Sequence, residues 1–305
     1  MRRVKRVQVI VALSLAISAS ASAMNLNDTF HFITTLVVSS TPYGQSQGTA
    51  FFYQHLAPTE KPGPQWRAVL NTWLVTNRHV VLPNVNGKET VPSSFSLHLR
   101  KLEKDRLQWE AITLSTDELH SRTKVHPNAD VDVAIIEVGD LIHDKLKEVG
   151  KYVQWYAVHP ENFAGQNNID VQVSDDVIVI GYPRGYYDQV NLFPIVKAGI
   201  IASRWGAHFG GKPCFLIDAK LFPGSSGSIV VSKPIDFVVK DGHILHSREK
   251  QFAFLGIYSG EPVRHEKPIE LDDMVIIQKS GYNVGVVWYA DLVEEIIKDG
   301  IAFPR

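Results

Sequence analysis

The sequence predicts an all-β body closed by a helix near its C-terminus. Short runs rich in Val, Ile, Phe, Tyr and Trp recur along the chain, with Gly, Pro, Asn and Asp filling the gaps between them. About a dozen such runs fall in the roughly 280 residues after the N-terminal segment, enough for two packed barrels or sandwiches. Only Leu141–Val149 and Asp291–Asp299 look helical, the second more strongly than the first. No repeat at a period of roughly 20–50 residues is present, which sets a propeller or solenoid aside.

In chain order, Arg2, Arg3, Lys5 and Arg6 precede the mostly apolar run Val7–Ile17, and Ala21-Ser22-Ala23 follows. That pattern predicts a secretory signal over 1–23, cut after Ala23. The run falls short of the roughly 20 apolar residues that span a bilayer. Its removal takes away four positive charges and moves the formal net charge from −1 to −5. No cysteine lies near the cut and no later run is long enough to cross. The expectation is therefore an exported protein, periplasmic or secreted, with no stable membrane anchor.

Strands are predicted over Phe30–Ser40, Thr49–Gln54, Trp66–Val75, Phe95–Lys101, Trp109–Leu114 and Val133–Val138 in a first half, 24–155. The polar stretch Gly150–Asp170 is the expected connection. In the second half, 156–305, strands are predicted over Val177–Gly181, Leu192–Ser203, Cys214–Ala219, Ser228–Ser232, Phe237–Val239, Ile244–His246, Phe252–Tyr258 and Val284–Trp288. Asp241-Gly242 is a hairpin signal between two of them. In the closing helix Leu292, Val293, Ile296 and Ile297 share one face, Asp291 with Glu294 has the form of a capping box, and Gly300 marks the stop.

Composition narrows the chemistry. Apolar residues are 45% and charged residues 21% of 305, a globular balance, and a net charge of −1 gives no reason to expect nucleic acid. Cys214 is the only cysteine, so neither an internal disulfide nor a cysteine-built zinc site is available. The 12 histidines are scattered, and His243 and His246 would face opposite sides of a strand, so no metal or cofactor is expected.

Three segments could carry chemistry. Trp73–Val75 is apolar and ends abruptly in Thr76-Asn77-Arg78-His79, which puts a histidine where the chain leaves the core. Asn128-Ala129-Asp130-Val131-Asp132 precedes the apolar run Val133–Ile136. An aspartate there can be shielded by its neighbours and receive an imidazole proton, and in extended backbone Asp130 and Asp132 point the same way. Gly224-Ser225-Ser226-Gly227-Ser228 sets glycines around a serine pair before a strand. Glycines allow a tight turn whose N–H groups can face a developing oxyanion, and a serine hydroxyl becomes a nucleophile when a base takes its proton. The order is His, Asp, Ser, each in a different part of the chain. The α/β-hydrolase elbow G-x-S-x-G fails at Ser228, and the order Asp, His, Ser of subtilisin-like enzymes fails too.

With Gly48-Thr49-Ala50-Phe51-Phe52, Leu74–Val81, Asp132–Ile136, Gly181-Tyr182-Pro183, Pro223–Ser228 and Gly256–Gly260 in this order, the sequence resembles the trypsin-like serine peptidases of the chymotrypsin fold, nearest the bacterial HtrA-type and glutamyl endopeptidase-like branch. The resemblance spans about residues 30–295, nearly all of the chain after the signal. It implies two antiparallel β-barrels of the chymotrypsin type with a C-terminal helix. It further implies a serine endopeptidase acting on proteins or peptides, with Ser226 as nucleophile, His79 as base and Asp132, in preference to Asp130, as its partner. Backbone N–H groups of Gly224 and Ser226 would form the oxyanion hole. Ser259 and Gly260 would pair with substrate, and the Ser259 hydroxyl would support Asp132.

The chain also departs from relatives. Ser225 stands where animal digestive enzymes carry an activating aspartate, and no PDZ-like segment follows the final helix, so neither that zymogen switch nor a PDZ-regulated cage is expected. Lys220 lies six residues before Ser226. It favours an acidic substrate residue, or extends to solvent and leaves a pocket lined by Leu221 and Phe222, selective for medium apolar residues; a Lys or Arg preference is the third option, with no aspartate at the expected position to support it. The alternative to an enzyme is an inactive trypsin-like fold that serves as a binding module.

Overall fold

The central strand segments 48–53 and 72–76 are buried on both faces, which is why they read as near-continuous apolar runs, whereas Arg106–Ser115 and Ile195–Ile201 alternate. The computed structural model describes residues 26–303 apart from 59–66, 105, 150–152, 241–242, 266–268, 272–273 and 277–278. The expected signal over 1–23, the Asp241-Gly242 turn and the start of the 150–170 connection lie outside the described residues.

Eight strands of the first half, the short strand Ala157–Val158 just beyond it and one from the far end form a single ten-stranded sheet. They are β1 (Thr34–Thr41), β2 (Gly44–Leu56), β3 (Val69–Thr76), β4 (Ser94–Glu103), β5 (Arg106–Ser115), β6 (Thr123–Val125), β7 (Ala134–Glu137), β8 (Val153–Gln154) and β9 (Ala157–Val158). Neighbours run β8-β4-β1-β2-β3-β7-β6. β5 pairs with β4, and β9 pairs in parallel with β2. The second half forms a closed six-stranded barrel of β10 (Asp176–Gly181), β11 (Ile195–Ile201), β12 (Cys214–Asp218), β13 (Ile229–Ser232), β16 (Phe254–Gly260) and β17 (Gly285–Tyr289). Between β13 and β16 a two-stranded ribbon, β14 (Ile235–Lys240) and β15 (His243–Gln251), pairs Lys240 with His243. The fold is thus mostly β with one closed barrel. Where the sequence suggests a second, the described residues form the ten-stranded sheet.

Three apolar clusters hold these layers. Val37, Ala50, Phe52, Leu74 and Ile136 fill the hollow of the large sheet. Val177, Val179, Phe215, Val230 and Val287 fill the barrel. Phe51, Tyr53, Trp73, Ile135, Ile229, Phe254 and Trp288 meet between the two. The alternation is direct: Phe52 and Leu74 face one core while Phe51 and Trp73 face the other. The site residues lie along this double-sided seam.

The helices differ in part from expectation. Phe30–Phe32, expected in a strand, belong to α1 (Leu26–Phe32), because Leu26, Phe30 and Ile33 share the inward face at helical spacing. A single turn, α2 (Arg78–Val81), follows β3. α3 (Thr116–Arg122) has a true capping box: the Ser115 hydroxyl accepts from Glu118 N and the Glu118 carboxylate accepts from Ser115 N at 2.9 Å. α4 (Gly139–Val149) starts two residues before the expected Leu141. α5 (Leu292–Asp299) forms as expected and ends at Gly300, yet its capping box does not. Glu294 instead accepts from the Tyr53 hydroxyl and meets His55 Nδ1 at 3.0 Å. Beyond it β18 (Ile301–Ala302) returns to pair with β6, and Phe303 buries in the large sheet's core. Among the described residues no helix is long and apolar enough to cross a membrane.

Candidate active site

The histidine is placed by the end of β3. Leu74 and Val75 are fully buried, Asn77 stays extended at φ −83°, ψ 151°, and the turn of α2 then brings His79 to the surface. Arg78 is fixed beside it by two 2.9 Å bonds to Glu89, which hold that carboxyl below its usual range. Asp132 lies between buried Val131 and Val133, just before β7. One of its oxygens accepts the His79 backbone N–H at 2.9 Å, and the other lies 2.7 Å from His79 Nδ1. A carboxylate so placed keeps the proton on Nδ1 and leaves the Nε2 lone pair free. The Ser259 hydroxyl donates to Asp132 Oδ2 at 2.5 Å, and Asn77 Nδ2 donates to the Asp132 backbone carbonyl at 2.8 Å. Asp130 is exposed, its carboxylate 3.8 Å from Lys212 Nζ, and takes no part in this cluster.

The serine pair sits in a tight turn that two glycines make possible. Gly224 has φ +90° and Gly227 φ +83°; a Cβ at Gly224 would come 2.5 Å from Arg184 N, and one at Gly227 would overlap the Thr49 carbonyl. Thr49 ties the turn to the large sheet: its N–H donates to Ser226 O at 2.9 Å and its hydroxyl to Gly224 O at 3.0 Å. Gly227 N–H donates to Tyr258 O at 2.8 Å. Ser225 is buried, whereas Ser226 is half-buried and its Oγ donates to the Ser259 carbonyl at 2.8 Å. Ser259 therefore joins the two parts, with its hydroxyl on Asp132 and its carbonyl on Ser226. Among the described residues the Ser226 hydroxyl makes no bond to His79, and the N–H groups of Gly224 and Ser226 donate to no protein group.

Around this centre Lys220 is exposed, with no ion pair among the described residues. Leu221 packs partly against the barrel core, and Phe222 is exposed beneath Lys197 Nζ, 5.0 Å from its ring centroid. Gly260 ends β16 with open space where a Cβ would stand. Among the described residues no three His, Cys, Asp or Glu side chains form a metal cluster. Thr76 and Arg184 escape sequence reasoning. Thr76 anchors the Thr49 carbonyl at 2.7 Å, and neither residue's type or spacing marks it out beforehand.

Residues 48–238 match the family model described as trypsin-like peptidase domain. No curated protein matches the chain. Among solved structures it is similar to the HtrA-type protease AlgW with tripeptide at 15% identity and a TM-score of 0.42, covering 87% of this chain and 59% of that one. The active form of the Rv3671c protease from M. tuberculosis matches at 16% identity and TM-score 0.43, covering 100% and 95%. The serine endoprotease from Yersinia pestis matches at 14% and 0.43, covering 90% and 66%. The chain thus spans less than two thirds of the length of the first and third of these.

Proposed function

The chain belongs to the trypsin-like peptidase family, and from that premise we propose that it is a serine endopeptidase that hydrolyses peptide bonds of proteins or peptides through Ser226, His79 and Asp132. The observation that carries the reading is the convergence of three distant segments, with Asp132 bound to His79 at 2.7 Å and Ser226 linked to the same cluster through Ser259. Substrate main chain laid along Ser259-Gly260 competes for the Ser259 carbonyl and frees the Ser226 hydroxyl to turn toward His79 Nε2. His79 takes the Ser226 proton as Oγ attacks the carbonyl carbon, and Asp132 stabilises the imidazolium. The open N–H groups of Gly224 and Ser226 receive the oxyanion. His79 then protonates the leaving amine, an acyl-enzyme on Ser226 remains, and water activated by His79 releases the acid.

The N-terminal pattern over 1–23 supports export to the periplasm or medium, and the halves 24–155 and 156–305 each contribute part of the site. For the primary pocket, exposure of Lys220 supports the apolar option lined by Leu221 and Phe222. The test is fluorophosphonate labelling of purified residues 24–305 with mass-spectrometric location of the adduct, alongside cleavage profiling of a peptide library. Labelling at Ser226 and hydrolysis that both vanish in Ser226→Ala are the expected outcome; hydrolysis undiminished in that variant overturns the reading. A binding module without catalysis is favoured only by the Ser226 hydroxyl facing Ser259, and absence of labelling would select it.

A further inference from the structure

Arg184 lies outside the triad and the pocket, at the end of the segment Gly181–Arg184 that follows β10. It holds φ +49°, ψ +30°, the left-handed region that residues with a side chain seldom adopt. Its N–H donates to Pro223 O at 2.7 Å, and its backbone lies against Gly224. The strained residue therefore stands directly beside the turn that bears the two open N–H groups. Its side chain is exposed, and no carboxylate pairs with it among the described residues. Arg67, Arg78 and Arg122 each hold a carboxylate at 2.7–2.9 Å. Of the seven non-glycine residues with positive φ among the described residues, Arg184 is the one whose backbone lies against Gly224 of the serine turn, and its guanidinium is open there.

The two flanks of the turn fix which part of a substrate it meets. On one flank Gly227 and Ser226 bond to Tyr258 and Ser259, so β16 lies there. On the other flank Gly224 faces Tyr182 O and Arg184. A substrate strand on Ser259-Gly260 sets its acyl part over β16, and the chain beyond the scissile bond leaves across the opposite flank. We propose that Arg184 is a specificity-determining residue for the leaving-group side, receiving a carboxylate one or two residues beyond the scissile bond. The carboxylate belongs either to an acidic side chain or to the C-terminus of a substrate ending there. A planar guanidinium binds either one bidentately. This deepens the peptidase reading and rests on it for the position of the scissile bond.

The test uses residues 24–305 and quenched peptides identical except for Glu, Gln or Lys at the second residue after the cleaved bond, plus a peptide ending at that residue as free acid or amide. Glu exceeds Gln about five- to tenfold in kcat/KM if the side chain is the source, and acid exceeds amide by a similar factor if the terminus is. In Arg184→Asn, which tolerates positive φ, the ratio falls to about one; Arg184→Asp, equally tolerant, inverts it in favour of Lys. Equal rates for acidic and neutral peptides in the unaltered chain, or a preference that persists in Arg184→Asn, overturn the proposal. The same pairs are measured for binding to Ser226→Ala by fluorescence anisotropy, so selectivity is read even without hydrolysis. A retained Glu-over-Gln binding ratio that is lost in Arg184→Asn, with no turnover or labelling of the unaltered chain, sinks the peptidase reading and leaves Arg184 only as a carboxylate contact; turnover with neither the Glu-over-Gln nor the acid-over-amide ratio overturns this proposal and leaves the peptidase reading.

Discussion

Asp132 receives three hydrogen bonds on its carboxylate, two from His79 and one from Ser259, and the substitutions around it separate their parts. Asp132→Asn presents an amide N–H₂ to imidazole and disrupts the tautomer the site needs, so kcat is expected to fall about 10⁴-fold with the fold intact by circular dichroism. Ser259→Ala keeps the carbonyl and removes one of three donors; a fall of about tenfold in kcat/KM is expected. Ser225→Ala retains most activity, because that side chain is buried away from His79. At this scale the three residues proposed for catalysis stand at chain landmarks. His79 follows the end of a strand, Asp132 precedes one, and Ser226 stands between glycines. The link from the Ser226 hydroxyl to the Ser259 carbonyl was invisible, because a main-chain oxygen has no residue type to notice.

The same three-residue spacing of cap and glutamate has two fates in the helices. At Ser115 and Glu118 it closes into a capping box, and Ser115→Ala is expected to cost about 1 kcal/mol by denaturant titration. At Asp291 and Glu294 it does not, because the buried Tyr53 hydroxyl and His55 bind Glu294 instead. Burial, then Glu294, raises the Tyr53 phenol above its ordinary value and keeps it a donor. Glu294→Ala is therefore expected to lower stability by about 1–3 kcal/mol, more than Asp291→Ala, because it leaves a buried hydroxyl unpartnered. Local sequence could propose the box in both places and could not see a competing partner from β2. Long strands were legible through their apolar runs. The two-residue strands at 153–154, 157–158 and 301–302 are too short to form a pattern.

For the whole molecule, two half-buried histidines set an acid limit. Burial lowers the affinity of His98 and His159 for protons, opposed at His98 by its bond to Leu36 O and at His159 by Glu161. Unfolded, both charge near the ordinary imidazole value of about 6.5. Below that pH the unfolded chain binds more protons than the folded one, so stability contributed at neutral pH is lost as pH falls toward 5, and the slope vanishes above about pH 7.5. Thermal melts should follow that course, and His98→Gln should flatten it. A melting temperature independent of pH from 5 to 7.5 would count against it. The strand count left barrels and sandwiches both open, and the closed barrel matches what the family resemblance implies. The ten-stranded sheet of the described residues was not legible, because its strand order depends on register between strands far apart in sequence.

One of those distant pairings has a cost in time. Ile301 pairs with Val125, and Phe303 fills the core of the large sheet. At a synthesis rate of roughly 5–20 residues per second, the strand that completes this sheet is made about 9–35 s after its partner. Throughout that interval the edge at Thr123–Val125 stays unpaired and the sheet's core lacks Phe303. A chain emerging N-terminus first thus keeps this sheet unfinished, and open to chaperones, until residues 301–303 arrive.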